Sequence, residues 1–209
     1  MDVNFQNSNT NDKLILRCYG ILESDIRTLL SNYFSNNYVS IDIISYGLDN
    51  KILIRYNSTN YNTARIIIAE ICSKLSKFTY ATEDTNLYQT AINLLSIQNK
   101  KVVIGETLTH GNLTYNLSIF NKDIIEYSYI FNNFNSIILN LNIDSKIIDQ
   151  FGKYSVNTIY ELNNLLLQKS TSDIAIFILG DKTEELCYIA IGDIDGIHVY
   201  KNGGCRNAP

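Results

Sequence analysis

KVVIGETLTHGNLTYNLSIF, residues 101–120, is the stretch on which the fold turns. KVVIGE (101–106) is a short apolar run, the pattern of a strand buried on both faces. TLTHGN is a polar turn that contains a glycine, and LTYNLSIF (113–120) reads as a helix. A buried strand leading through a polar turn into a helix belongs to a layered α/β sheet. The chain downstream continues that pattern. EYSYIF (126–131) and SIILNL (136–141) read as strands. IDSKIIDQFG (143–152) and SVNTIYELNNLLLQKS (155–170) read as helices, the second with Ile159, Leu162, Leu165 and Leu166 on one side. DIAIFILG (173–180), ELCYIAIG (185–192) and GIHVYK (196–201) read as three strands joined by short turns. LYQTAINLLSIQ (87–98) opens the module as a helix, with Ala91, Leu94 and Leu95 facing inward. The reading is a three-layer α/β domain over residues 87–202 with a mixed sheet, followed by a frayed tail at 203–209.

Upstream, KLILRCYG (13–20) alternates as a strand, and LESDIRTLLSNYF (22–34) places Leu22, Ile26, Leu29, Leu30 and Phe34 on one helical face, with Ser24 and Asp25 as start signals. VSIDIISYG (39–47) and KILIRYN (51–57) flank the turn Gly47-Leu48-Asp49-Asn50 and form a hairpin. NYNTARIIIAEICSKLSKF (60–78) carries Ile67, Ile68, Ile71 and Leu75 at helical spacing. Residues 13–80 are therefore a small β-α-β-β-α module with a three-stranded sheet. Within the polar stretch 79–87, residues 81–86 form the linker. The whole chain is α/β (α+β).

Of the 209 residues, 45% are hydrophobic and 18% charged, enough apolar material for a core in each module. The net charge of −4 and the absence of a basic run argue against nucleic acid as a partner. No run of about 18 uncharged apolar residues is present, which excludes a membrane-spanning helix from this reading. The start, MDVNFQNSNTND (1–12), reads as a disordered tail without the basic and apolar regions of a signal peptide. Cys18, Cys72, Cys187 and Cys205 lack metal-ligand spacing, and His110 and His198 are the only histidines. No metal site follows from these residues, and the thiols read as reduced cysteines of a cytoplasmic protein. No cofactor fingerprint is found: there is no phosphate-binding Walker loop and no dinucleotide-binding glycine pattern.

The turn after the buried strand is where chemistry concentrates. Free backbone N–H groups at a helix start suit an anion or an oxyanion. Thr107 is the candidate nucleophile or hydrogen-bond donor there, and Glu106, Thr109, His110 and Gly111 are candidate ligand-binding residues. The same residues also fit a plain helix cap.

The order of these segments resembles the CinA family, the competence/damage-inducible protein A group, over nearly the whole chain. LILRCYGILESDIRTLL followed by IDIISYGLDNKILIRY is similar to the family's KH-like middle segment. FTYATEDTNLYQTAINLLSIQNKKVVIGETLTHGNL is similar to its run into the C-terminal domain. There the family reads Ala-Glu-Ser-Cys-Thr-Gly-Gly where this chain has Gly105 to Gly111. The family's N-terminal domain, which resembles molybdopterin-binding proteins, has no counterpart in these residues. The resemblance implies a nicotinamide-nucleotide amidohydrolase fold in the C-terminal domain. Such an enzyme converts nicotinamide mononucleotide to nicotinic acid mononucleotide and ammonia, with the motif serine as nucleophile and a downstream lysine helping it.

The chain departs from that pattern at each critical place. Thr107 stands at the serine, with an added methyl that stiffens χ1. His110 stands at the first motif glycine. The lysine position falls near Ile137, and Lys146 is the nearest downstream lysine. The family's glycine-rich loop is reduced to Leu179-Gly180-Asp181-Lys182. Loss of the base alone removes roughly 10²–10⁴ in rate. The sequence therefore predicts a catalytically impaired CinA-like binding or assembly module with a pyridine nucleotide as ligand. The alternative is a divergent, active amidohydrolase. Exposed sheet edges in the second module point to a homo-oligomer.

Overall fold

The structure, a computed structural model, describes residues 12–181 and 186–203. Lys182, Cys205 and nearly all of the two tails read at 1–12 and 203–209 lie outside the described residues. The chain divides into two compact units between Thr90 and Ala91.

The first unit runs β1 (Asp12–Tyr19), α1 (Glu23–Leu29), β2 (Val39–Tyr46), β3 (Asp49–Tyr56), α2 (Tyr61–Leu75), β4 (Thr79–Ala81). Its sheet order is β2-β3-β1-β4, antiparallel throughout. The fourth strand comes from Thr79–Ala81, which the sequence reading had placed at the start of a polar connecting stretch. With it, the unit is a split β-α-β arrangement. The hairpin turn is tighter than expected: Tyr46 pairs with Asp49, so Gly47 and Leu48 alone make the bend, and Gly47 supplies φ +73°. Alternation on β1 and β3 sends Leu14, Leu16, Cys18, Ile52 and Ile54 into one core with Ile68, Ile71 and Leu75 of α2. Helix α1 is shorter than its pattern. Ile26 and Leu30 are fully buried, whereas Leu22, Leu29 and Phe34 stay exposed, and no side chain caps its start.

Cys18 and Cys72 are free thiols, and burial pushes both up, away from the reactive thiolate form. On the sheet face opposite the helices, Arg17 pairs with Asp49, Lys51 with Asp84 and Arg55 with Asp42. Acids thus answer most of the positive charge on that face.

The second unit begins within α3 (Leu87–Ile97) and continues β5 (Val102–Glu106), α4 (Asn112–Asn121), β6 (Ile125–Ile130), α5 (Phe134–Leu141), α6 (Ser145–Phe151), α7 (Val156–Lys169), β7 (Ile174–Asp181), β8 (Leu186–Gly192), β9 (Ile197–Gly203). The sheet order is β6-β5-β7-β8-β9. Strand β5 is parallel to both β6 and β7, and β7, β8 and β9 are antiparallel, so the sheet is mixed as expected. Every residue of β5 is buried, as its unbroken apolar run required. Val103 and Phe177 face a core shared with α5 and α7, while Val102 and Ile104 face a second core with Ile92 of α3 and Leu117 of α4. Helices on both faces of the sheet give three layers.

Two local readings are corrected. SIILNL is not a strand but most of helix α5, because Asn133 caps its start by accepting from the Ser136 N–H at 2.9 Å, and Phe134, Ile137 and Leu141 then bury at helical spacing. In α3 Ile92 is the buried residue and Leu95 packs beside it, as expected, whereas Ala91 and Leu94 are exposed. No helix among the described residues is long and apolar enough to cross a membrane.

Candidate functional site

From β5 the chain passes through α4 to β6 on one side, and from β6 it returns through α5, α6 and α7 to β7 on the other side of β5, so the strand order reverses at β5. In open α/β sheets such a reversal of strand order leaves a crevice outside the carboxyl ends of the strands. A cleft of about 570 Å³ lies at that position. Its walls are Thr107, Leu108 and His110 after β5, the segment Phe131–Asn135 after β6, the end of β7 at Leu179–Asp181, and Lys153 and Tyr154 before α7. The volume suits a nucleotide-sized ligand.

Thr107 lies in this cleft, but its hydroxyl is occupied. It accepts from the Gly180 N–H at 2.9 Å and lies 3.1 Å from the Gly180 carbonyl and 3.2 Å from the Ile178 carbonyl, to which it donates. Its own N–H donates to the Ile178 carbonyl at 3.0 Å. All these partners are backbone atoms of β7. Thr107 thus extends the β5–β7 pairing by one residue.

Glu106 is fully buried and does not face the cleft. Its carboxylate accepts the N–H groups of Leu113 at 3.1 Å and Thr114 at 2.9 Å, and the hydroxyls of Thr109 at 2.5 Å and Thr114 at 2.7 Å. The positive end of α4, offered by the sequence as an anion site, is filled by the chain's own carboxylate. Thr109 serves that cap. Gly111 sits at the N-cap with φ +88°, where a Cβ would meet Ile130 Cδ1 at 2.6 Å. His110 also has positive φ, +49°, a conformation costing a non-glycine residue about 1–2 kcal/mol. Its exposed side chain lines the cleft.

Of the five residues named from sequence, Thr107 and His110 are thus brought together in one cleft, while Glu106, Thr109 and Gly111 shape the loop from behind. Sequence reasoning missed Lys153 and Tyr154, and named Asp181 only as part of the reduced loop. The ammonium of Lys153 stands 5.8 Å from the Phe134 ring centroid, and the Tyr154 hydroxyl donates to Asp181 at 3.2 Å. Ile137, near which the resemblance puts a lysine, is buried in the cleft wall. No group of three or more metal-ligating side chains occurs among the described residues.

Curated proteins of similar sequence carry competence-damage inducible and CinA-like names. A protein of Acetivibrio thermocellus named as competence-damage inducible is 24% identical over 206 residues, 88% of this chain and 48% of the relative. A CinA-like protein of Chlorobium limicola is 28% identical over 123 residues, 56% of this chain and 28% of the relative. The chain is a relative of the CinA family.

It spans about half the length, or less, of these curated CinA-type proteins. No protein-family model matches it. Among solved structures, a CinA-superfamily protein of Escherichia coli matches with TM-score 0.52 and 11% identity, covering 61% of this chain and 83% of that one. The competence/damage-inducible protein CihA of Agrobacterium tumefaciens matches with TM-score 0.51 and 15% identity, covering 56% and 79%. At that identity they share the fold with this CinA relative. In this chain Glu106, Thr109 and Gly111 are the residues that build the loop, while Thr107 and His110 face the cleft.

Proposed function

We propose that the second unit is a non-hydrolytic binding module for a pyridine nucleotide, descended from an amidohydrolase fold. The observation that carries the reading is the Thr107 hydroxyl. Attack on a carboxamide carbon requires its proton to pass to a base. Here the hydroxyl faces amide carbonyls and an amide N–H, which cannot take that proton. The second support is the α4 N-terminus, whose Leu113 and Thr114 donors are spent on Glu106 and are not available to a tetrahedral oxyanion. What remains is a cleft with aromatic, amide and charged walls, suited to holding a ligand.

The test is paired. Isothermal calorimetry of the full chain with nicotinamide mononucleotide should give a binding isotherm, and an ammonia assay on the same mixture should stay at the level of a heat-killed control. No heat at millimolar ligand removes the binding reading. The assembly side of the proposal predicts a homo-oligomer, and a monomer in sedimentation velocity would remove that part.

One observation favours a second reading. Lys153 lines the same cleft as Thr107. A divergent amidohydrolase using that amine as base would release ammonia, and both Thr107→Ala and Lys153→Gln would abolish the release.

A further inference from the structure

The geometry points to Lys153 as the residue that holds the anionic group of the ligand and so selects a nucleoside monophosphate over an uncharged nucleoside. This rests on the binding reading above and adds a residue and a ligand class to it.

The argument is one of elimination among groups able to answer a phosphate's charge. Three helices begin at or beside the cleft, and side chains of the chain itself cap each start. Glu106 accepts from Leu113 and Thr114 in α4. Asn133 accepts from Ser136 in α5. Ser155 accepts from Thr158 at 3.1 Å in α7. Backbone donors of these helix starts are therefore partly spent before any ligand arrives. Thr107 is engaged with β7. Among the described lining residues, Lys153 is the one lysine or arginine.

Lys153 is exposed, yet it does not simply trail into solvent. Its ammonium stands over Phe134, and Phe134 meets Tyr154 edge-on, with centroids 6.0 Å apart. An ammonium over a ring face is held in place while its N–H donors stay directed outward. Among the described residues it makes no ion pair with a carboxylate within 4.0 Å, unlike Lys51 and Lys100. One charged group per ligand also fits the opposite sign nearby: Asp181 lines the same cleft and disfavours a second anionic group.

Calorimetry with two probes tests this. Nicotinamide mononucleotide and nicotinamide riboside differ by the phosphate alone. The expected result at low salt is that the wild type binds the mononucleotide at least about tenfold more tightly, the scale of a charge-assisted contact. Lys153→Gln should bring the mononucleotide to the riboside's affinity and leave the riboside unchanged. Lys146→Gln, on α6 outside the cleft lining, should change neither. Equal affinity of the two probes in the wild type, or a Lys153→Gln variant that keeps the difference, overturns the assignment of Lys153 while the binding reading stands. Heat from neither probe with a folded wild type overturns both.

Discussion

The hydroxyl of Thr107 and the backbone N–H of Gly180 lie 2.9 Å apart, a hydrogen bond that ties the loop after β5 to the end of β7. The Thr107 side chain is thereby a piece of the sheet's hydrogen bonding. Gly180 has no room for a substitute: a Cβ would meet the Leu186 carbonyl oxygen at 2.7 Å.

Thr107→Val keeps the shape and removes the oxygen. The Gly180 N–H then loses its partner in a half-buried setting, at about 1–3 kcal/mol. Thermal denaturation should show a fall in Tm of several degrees, and Thr107→Ser should lose much less.

Glu106→Gln should be more damaging. The carboxylate accepts four hydrogen bonds in a fully buried position, and the amide nitrogen of glutamine would face donors with a donor. A loss of roughly 2–3 kcal/mol follows from the strength of hydrogen bonds to charged groups. Urea unfolding monitored by circular dichroism measures it. A variant as stable as wild type contradicts the capping role.

Gly105 permits the contact between β5 and α7. A Cβ there would meet Phe177 Cδ2 at 2.7 Å and Leu166 Cδ1 at 3.0 Å. Gly105→Ala should destabilise by about 1–3 kcal/mol through overpacking, read as a lower urea midpoint with unchanged slope.

Acid sensitivity has a named contributor. The Lys101 N–H at 2.8 Å, then the Lys100 ammonium at 3.2 Å, hold the Asp173 carboxyl below its ordinary value. A carboxyl depressed in the folded state adds stability above its unfolded pKa, and that part is lost as pH falls through the folded value. Asp173→Asn should therefore be less stable than wild type at neutral pH and lose less on acidification. Parallel slopes of Tm against pH between about 5 and 3 for the two proteins would count against it.

Much of the architecture was legible because its periodicity is strong. Helix α7 and strands β7–β9 stand close to where alternation and the Ile159, Leu162, Leu166 spacing put them. SIILNL misled because β-branched residues in a six-residue run fit either period; the Asn133 cap three residues before Ser136 was the signal that favoured helix. The site was half legible. The motif located the turn, but local pattern alone does not show that Glu106 folds back onto Leu113 and Thr114. Lys153 was out of reach, because the cleft joins it to Thr107 only after α5, α6 and α7 have packed.

The most direct measurement is ammonia release from nicotinamide mononucleotide by the purified full chain, with wild type, Thr107→Ser and Thr107→Ala assayed side by side. The account predicts that none exceeds a heat-killed control, since restoring the serine does not supply a base. Sustained release by the wild type that Thr107→Ala abolishes would contradict it.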